Sequence, residues 1–132
     1  MKNLALSLGA SEENIFLEEE SLDTISNIYY AKKNLLQPNN WTRLLLLTLY
    51  KNDERALLTA HYVLGPSYVC DRLSVDYHFP PEKLEKIEKA ETEKVRVLKD
   101  FLKDKAIAPG DHERIFQEHL GYIDSHQIES TY

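Results

Sequence analysis

Trp41-Thr42-Arg43-Leu44-Leu45-Leu46-Leu47-Thr48-Leu49-Tyr50 is the stretch on which the reading of this chain turns. Leu44 to Leu47 make it apolar on every side, which predicts a buried helix at the centre of a helical bundle. Asn40 can cap that helix, and Gln37-Pro38-Asn39-Asn40 separates it from what precedes, because proline donates no N–H and constrains the residue before it. The whole reading hangs on this stretch being helical and enclosed; a strand here would undo it.

On its C-terminal side, Asn52 can cap a helix over Asp53–Leu64 that ends at Gly65-Pro66. Leu57, Leu58, His61, Tyr62 and Leu64 lie inward or near the boundary. Residues 68–77 read as a further short helix, with Ser67-Tyr68-Val69-Cys70 open to an extended alternative. Pro80-Pro81 then introduces the clearest helix of the chain, 82–105. Leu84, Ile87, Val95, Leu98, Phe101 and Leu102 mark one side of it, and Pro81 suits its first turn. Ala90–Lys94 is thin in apolar residues and is expected to be exposed on most sides. This helix should pack beside the helix at 41–50. Ala108-Pro109-Gly110 leads to a last helix capped by Asp111 and stopped at Gly121.

On the N-terminal side, Ser21 can start a helix carrying Leu22, Ile25, Ile28, Tyr29, Leu35 and Leu36 at helical spacing. Residues 2–9 form a short helix ending at Gly9, and Ser11 starts a turn with Glu12 and Glu13 in it. The fold expectation is therefore an all-α bundle of five to seven helices with short loops in one domain, 1–132. Residues 1–20 are read as a loosely docked segment and 122–132 as a fraying tail.

Composition agrees with one globular domain. The chain has 132 residues, 42% of them hydrophobic and 29% charged, which is unlike disordered sequence. No apolar run approaches the ~20 residues of a membrane span. The single cysteine, Cys70, suits a reducing, cytoplasmic setting rather than a disulfide-stapled secreted domain. Net charge is −6, with residues 1–31 and 106–132 acidic and the middle weakly basic. That balance disfavours indiscriminate attraction to nucleic acid or anionic lipid.

Several groups invite a chemical reading. His112, His119 and His126 recur every seven residues, the spacing of one helical stripe. A metal site or a pH-sensitive contact is conceivable there, but Gly121 should misalign His126, so boundary histidines are the expectation. Cys70 with His61 or His78 could form a nucleophile–base pair if the thiolate were favoured; the expectation is a small core residue. Glu18-Glu19-Glu20 point about 100° apart from one another on a helix and read as a solvated face. Residues 57–76 have the lengths of a helix-turn-helix, but Asp71 and Asp76 against Arg72 equip a groove-reading helix poorly. No glycine-rich phosphate loop is present, and no cofactor or metal is implied.

Tyrosine content is the most unusual feature, with eight in the chain. Tyr29, Tyr30, Trp41, Tyr68, Tyr77, His78 and Phe79 are the candidate interface residues, because an aromatic ring with a polar tip suits protein contacts. Glu12, Glu13, Glu18, Glu19 and Glu20 form the candidate acidic surface. The leading expectation is a non-enzymatic regulator, inhibitor or adaptor that binds another protein through these groups, with a homodimer also open. Helix-turn-helix DNA binding and an enzyme built on Cys70 are the alternatives.

Overall fold

The computed structural model describes residues 1–49, 52–76 and 78–126, with 121–126 described for backbone alone. In it the leucine-rich stretch is a strand. β1 (Arg43–Leu49) pairs in parallel with β2 (Val69–Val75), Arg43 opposite Val69 and Leu49 opposite Val75. The connection between them is helical, so the centre of the chain is a strand–helix–strand unit. The all-α expectation is thereby corrected: the molecule is a mixed α/β fold of five α-helices and a two-stranded parallel sheet among the described residues.

The physical reason lies in what a helix at 41–50 would require. Apolar on every side, it would have to be enclosed on every side. The core closes without it, around Ile25, Tyr29, Val63, Leu98, Phe101, Leu102, Ile107 and Ile115. As a strand, the same leucines alternate: Leu44 and Leu46 are half-buried, while Leu45 and Leu47 are exposed. Nor does the long helix pack beside 41–50 as expected; its neighbours are other helices. Residues 69–75, read as a short helix, form β2, where Val69 and Val75 bring the β-branched side chains that suit a strand.

Beside α1 (Lys2–Ser7), which buries none of its residues, the helical layer is built from α2 (Thr24–Ala31), α3 (Asp53–Leu64), α4 (Pro81–Asp104) and α5 (His112–His126). α2 starts at Asp23 rather than Ser21, because Asp23 and Ser26 form a reciprocal capping box. Ser21 is instead held by the Glu18 carboxylate, which accepts from its backbone N–H at 3.0 Å and from its hydroxyl. α2 continues into one wide π turn, Lys32–Leu36, closed by the Gln37 N–H donating to the Lys32 carbonyl at 2.9 Å.

α4 begins with Pro81 at its first turn, as its missing N–H allows. It buries Ile87, Val95, Val97, Leu98, Phe101 and Leu102, at roughly 1.5–3 kcal/mol for each large side chain removed from water. Its middle turn, expected to be exposed on most sides, exposes Thr92 and Glu93 but buries Glu91. α5 starts after Asp111 and runs through Gly121 to His126, so the expected stop at Gly121 is not used. Residues 127–132 of the expected tail lie outside the described residues.

Two glycines bring the loops together. Gly65, at the end of α3, has φ +89, and a Cβ there would lie 2.7 Å from Gly110 Cα. The Gly110 N–H donates to the Tyr62 carbonyl at 2.7 Å. Only glycine permits both that backbone angle and that approach.

Candidate interaction surface

Parallel pairing fixes which backbone groups the sheet uses. The Val69 N–H donates to the Thr42 carbonyl at 2.8 Å, and in a parallel ladder the bonded residues of each strand alternate. Leu44, Leu46 and Thr48 therefore face β2 with their N–H and C=O groups. Those of Arg43, Leu45, Leu47 and Leu49 point to the open edge.

Side chains alternate in the other direction. Leu44, Leu46 and Thr48 share the inner face with Cys70, Arg72 and Ser74. At its C-terminal end this face is tied to α3 by Asp53, whose buried carboxylate accepts from the hydroxyls of Thr48 and Ser74 and pairs with Arg72 Nη1 at 3.3 Å. Burial pushes that carboxyl up, but the Ser74 and Thr48 hydroxyls and the Arg72 charge outweigh it and hold it below its usual value. The carboxyl ends of parallel strands are where open α/β sheets usually bind ligands; here the polar side chains at that place satisfy one another.

The outer face carries Val69, Leu73 and Val75 of β2 beside Arg43, Leu45, Leu47 and Leu49 of β1. Leu45, Leu47, Val69, Leu73 and Val75 keep between 42% and 66% of their surface in solvent. At its N-terminal end the face carries the exposed pair Arg43–Asp71, 3.5 Å apart. Just before β1, the exposed Trp41 meets Phe16 edge to face, with centroids 5.6 Å apart at 71°. That contact brings the N-terminal segment, with exposed Glu12, Glu13, Glu19 and Glu20, to the start of the sheet.

The structure disperses the candidate aromatic residues. Tyr29 is buried, stacked on Phe116 at 4.0 Å, and donates its hydroxyl hydrogen to Glu113 at 2.9 Å. Tyr30 is half-buried, edge-on to both rings. Tyr68 is half-buried with the Lys32 ammonium 5.4 Å from its ring centroid. Phe79 is half-buried with the Lys83 ammonium 4.7 Å from its ring, and His78 is exposed. Tyr77 lies outside the described residues. Of the acidic candidates, Glu12 pairs with Lys2 at 2.9 Å, Glu18 is half-buried and accepts from the backbone N–H groups of Glu20 and Ser21, and Glu13, Glu19 and Glu20 are exposed.

The other chemical candidates also find places. Cys70 Sγ lies 3.8 Å from the Asp71 carbonyl. Burial, with the Asp71 charge, pushes its thiol up, away from the thiolate that a nucleophile needs. Among the described residues it makes no hydrogen bond to His61 or His78. Residues 57–76 hold one helix and one strand, so the second helix of a helix-turn-helix is absent. No group of three or more His, Cys, Asp or Glu among the described residues is arranged to hold a metal ion.

His112 and His119 both lie on α5. His119 bonds Asp23, and His112 Nδ1 lies 2.9 Å from the buried Lys32 ammonium. Lys32 also donates to the carbonyls of Val63 and Leu64 at 2.8 and 2.9 Å, so a cation closes the C-terminal end of α3. Burial lowers the Lys32 pKa.

Sequence reasoning missed the outer-face residues Leu45, Leu47, Val69, Leu73 and Val75. The available signal was the apolar spacing 69–73–75 after a helix of crossover length. No protein-family model matches the chain, and neither a curated protein nor a solved structure matches it significantly. No helix among the described residues is long and apolar enough to cross a membrane.

Proposed function

We propose that the protein is a non-enzymatic binding module, of the regulator, inhibitor or adaptor kind, that holds another protein on the outer face of the β1–β2 sheet. One observation carries the reading: Leu45, Leu47, Leu73 and Val75 stand side by side on that face, 42–66% exposed, with Val69 beyond the Arg43–Asp71 pair. Parallel sheets are ordinarily covered on both faces and extended beyond two strands, and α3 covers only one face here. Contiguous apolar surface of this kind marks interaction sites. The contact surface thus differs from the tyrosine-rich one read from the sequence, while the partner class is the same. A lone free thiol at Cys70 suits a reducing compartment such as the cytoplasm.

The test compares wild type with Leu47→Asp in native capture at low salt, after both show the same thermal transition. Leu47 is exposed, so the fold tolerates the charge. A stoichiometric partner should be held by the wild type and bound at least ~30-fold more weakly by the variant, equivalent to about 2 kcal/mol. Equal retention by both proteins, or no partner recovered at all, contradicts the proposal.

A further inference from the structure

Resting on that reading, we infer that the partner is held as an added strand: an extended polypeptide segment, apolar at alternate positions and flanked by basic residues, hydrogen-bonded along the open edge of β1. The outward N–H and C=O groups of Arg43, Leu45, Leu47 and Leu49 are a template for a third strand. The same residues project their side chains onto the outer face. A strand paired there sets its own alternate side chains beside Leu45 and Leu47, where cross-strand apolar pairs form.

The two edges differ. β2 carries Asp71 and Arg72 in its middle, the kind of charge that blunts an edge, whereas β1 from Leu44 to Leu49 has no charge, proline or glycine. Charge selects the occupant. The Phe16–Trp41 contact sets an acidic segment beside the start of β1, and Glu13 and Glu19 in it make no ion pair among the described residues. A basic segment complements that end. A second copy of this chain, with net charge −6 and the same acidic segment, does not.

The experiment uses the isotopically labelled full chain and three capped peptides. The first alternates valine with threonine and lysine, with lysine at both ends; the second has glutamate for every lysine; the third is the first with a central proline. Amide exchange at Leu45 and Leu47, together with methyl shifts of Leu45, Leu47 and Leu73, is read by NMR. Strand addition predicts that the first peptide alone slows exchange at Leu45 and Leu47 at least ~10-fold, an effect weakened at about 0.3 M salt. Methyl shifts without slowed amides overturn strand addition but leave the outer face as a contact surface. No change in methyls or amides with any peptide overturns both.

Discussion

Asp23 Oδ2 accepts a hydrogen bond from His119 Nε2 at 2.9 Å, across 96 residues of chain. The other ring nitrogen of His119 donates to the carbonyls of Phe116 and Ile115, at 2.8 and 3.1 Å. Every partner is an oxygen acceptor, so the geometry favours a ring protonated at both nitrogens, and that ring is fully buried. The carboxylate that caps α2 therefore also holds α5, beside the Tyr29–Phe116 stack and the Tyr29–Glu113 hydrogen bond that join the same two helices.

That pair makes stability depend on pH in a defined direction. Burial opposes the Asp23 charge, but the His119 hydrogen bond, the Ser26 N–H and hydroxyl and the imidazolium charge bring its carboxyl from 3.8 down to about 2. Burial likewise lowers His119, but the Asp23 bond and charge, with the two carbonyls, raise it above 6.5. A lowered acid stabilises above its unfolded value and loses that contribution as pH falls through its folded one. A raised histidine stabilises fully below its unfolded value and loses it as pH rises through its folded one. The wild type should therefore exceed Asp23→Asn by about 2 kcal/mol between pH 3.8 and 6.5, with the gap narrowing on both sides. Urea unfolding across pH 2–9 reads this, and a gap independent of pH contradicts it.

Arg55 and Glu91 form a second buried link. Arg55 Nε and Nη2 grip the two carboxylate oxygens of Glu91 at 2.8 and 3.1 Å, and Nη1 donates to the Thr24 hydroxyl. Glu91→Ala should cost about 3–5 kcal/mol, because it strands a guanidinium inside the helical layer. Replacing both residues by methionine should cost clearly less than that single change. A double variant as unstable as the single one would contradict this account.

Gly65→Ala should destabilise by about 2 kcal/mol or more, since the added Cβ meets Gly110 backbone at 2.7 Å in a conformation only glycine adopts readily. Gly9→Ala, with φ +97 and nothing within 4 Å, should cost only about 1 kcal/mol. Thermal melts that rank the two in the opposite order would contradict the contact.

Ala106 has φ +49 and closes α4: its N–H donates to the Lys103 carbonyl, and the Ile107 N–H to the Leu102 carbonyl, both at 3.0 Å. This is a Schellman ending with alanine where glycine is preferred. Ala106→Gly should therefore raise stability by about 0.5–1 kcal/mol, seen as a higher urea midpoint at unchanged slope.

These residues also show what the sequence could express. Local signals placed α3 at Asp53–Leu64 with its Gly65 end, α4 within a residue at each end, and the Asp111 start of α5, because caps and periodicity act over a few residues. They misplaced 41–50, because four leucines in a row fit a buried helix or a strand equally well. The deciding partner, Val69–Val75, lies beyond a whole helix and has a charged middle. Tyr29, one of the interface candidates, is core because α5 brings Phe116 over it, a contact no local pattern encodes. The His112/His119 spacing was visible, but Asp23 as the acceptor for His119 was not.

Among the described residues, 43–49 form a strand paired on one side only. Amide hydrogen exchange along this stretch in the free protein distinguishes that arrangement from a helix. Slow exchange at Leu44, Leu46 and Thr48, with fast exchange at Arg43, Leu45, Leu47 and Leu49, is the predicted result. Uniform protection from Leu45 through Leu49, as in a buried helix, would contradict it and remove the surface on which the proposed function rests.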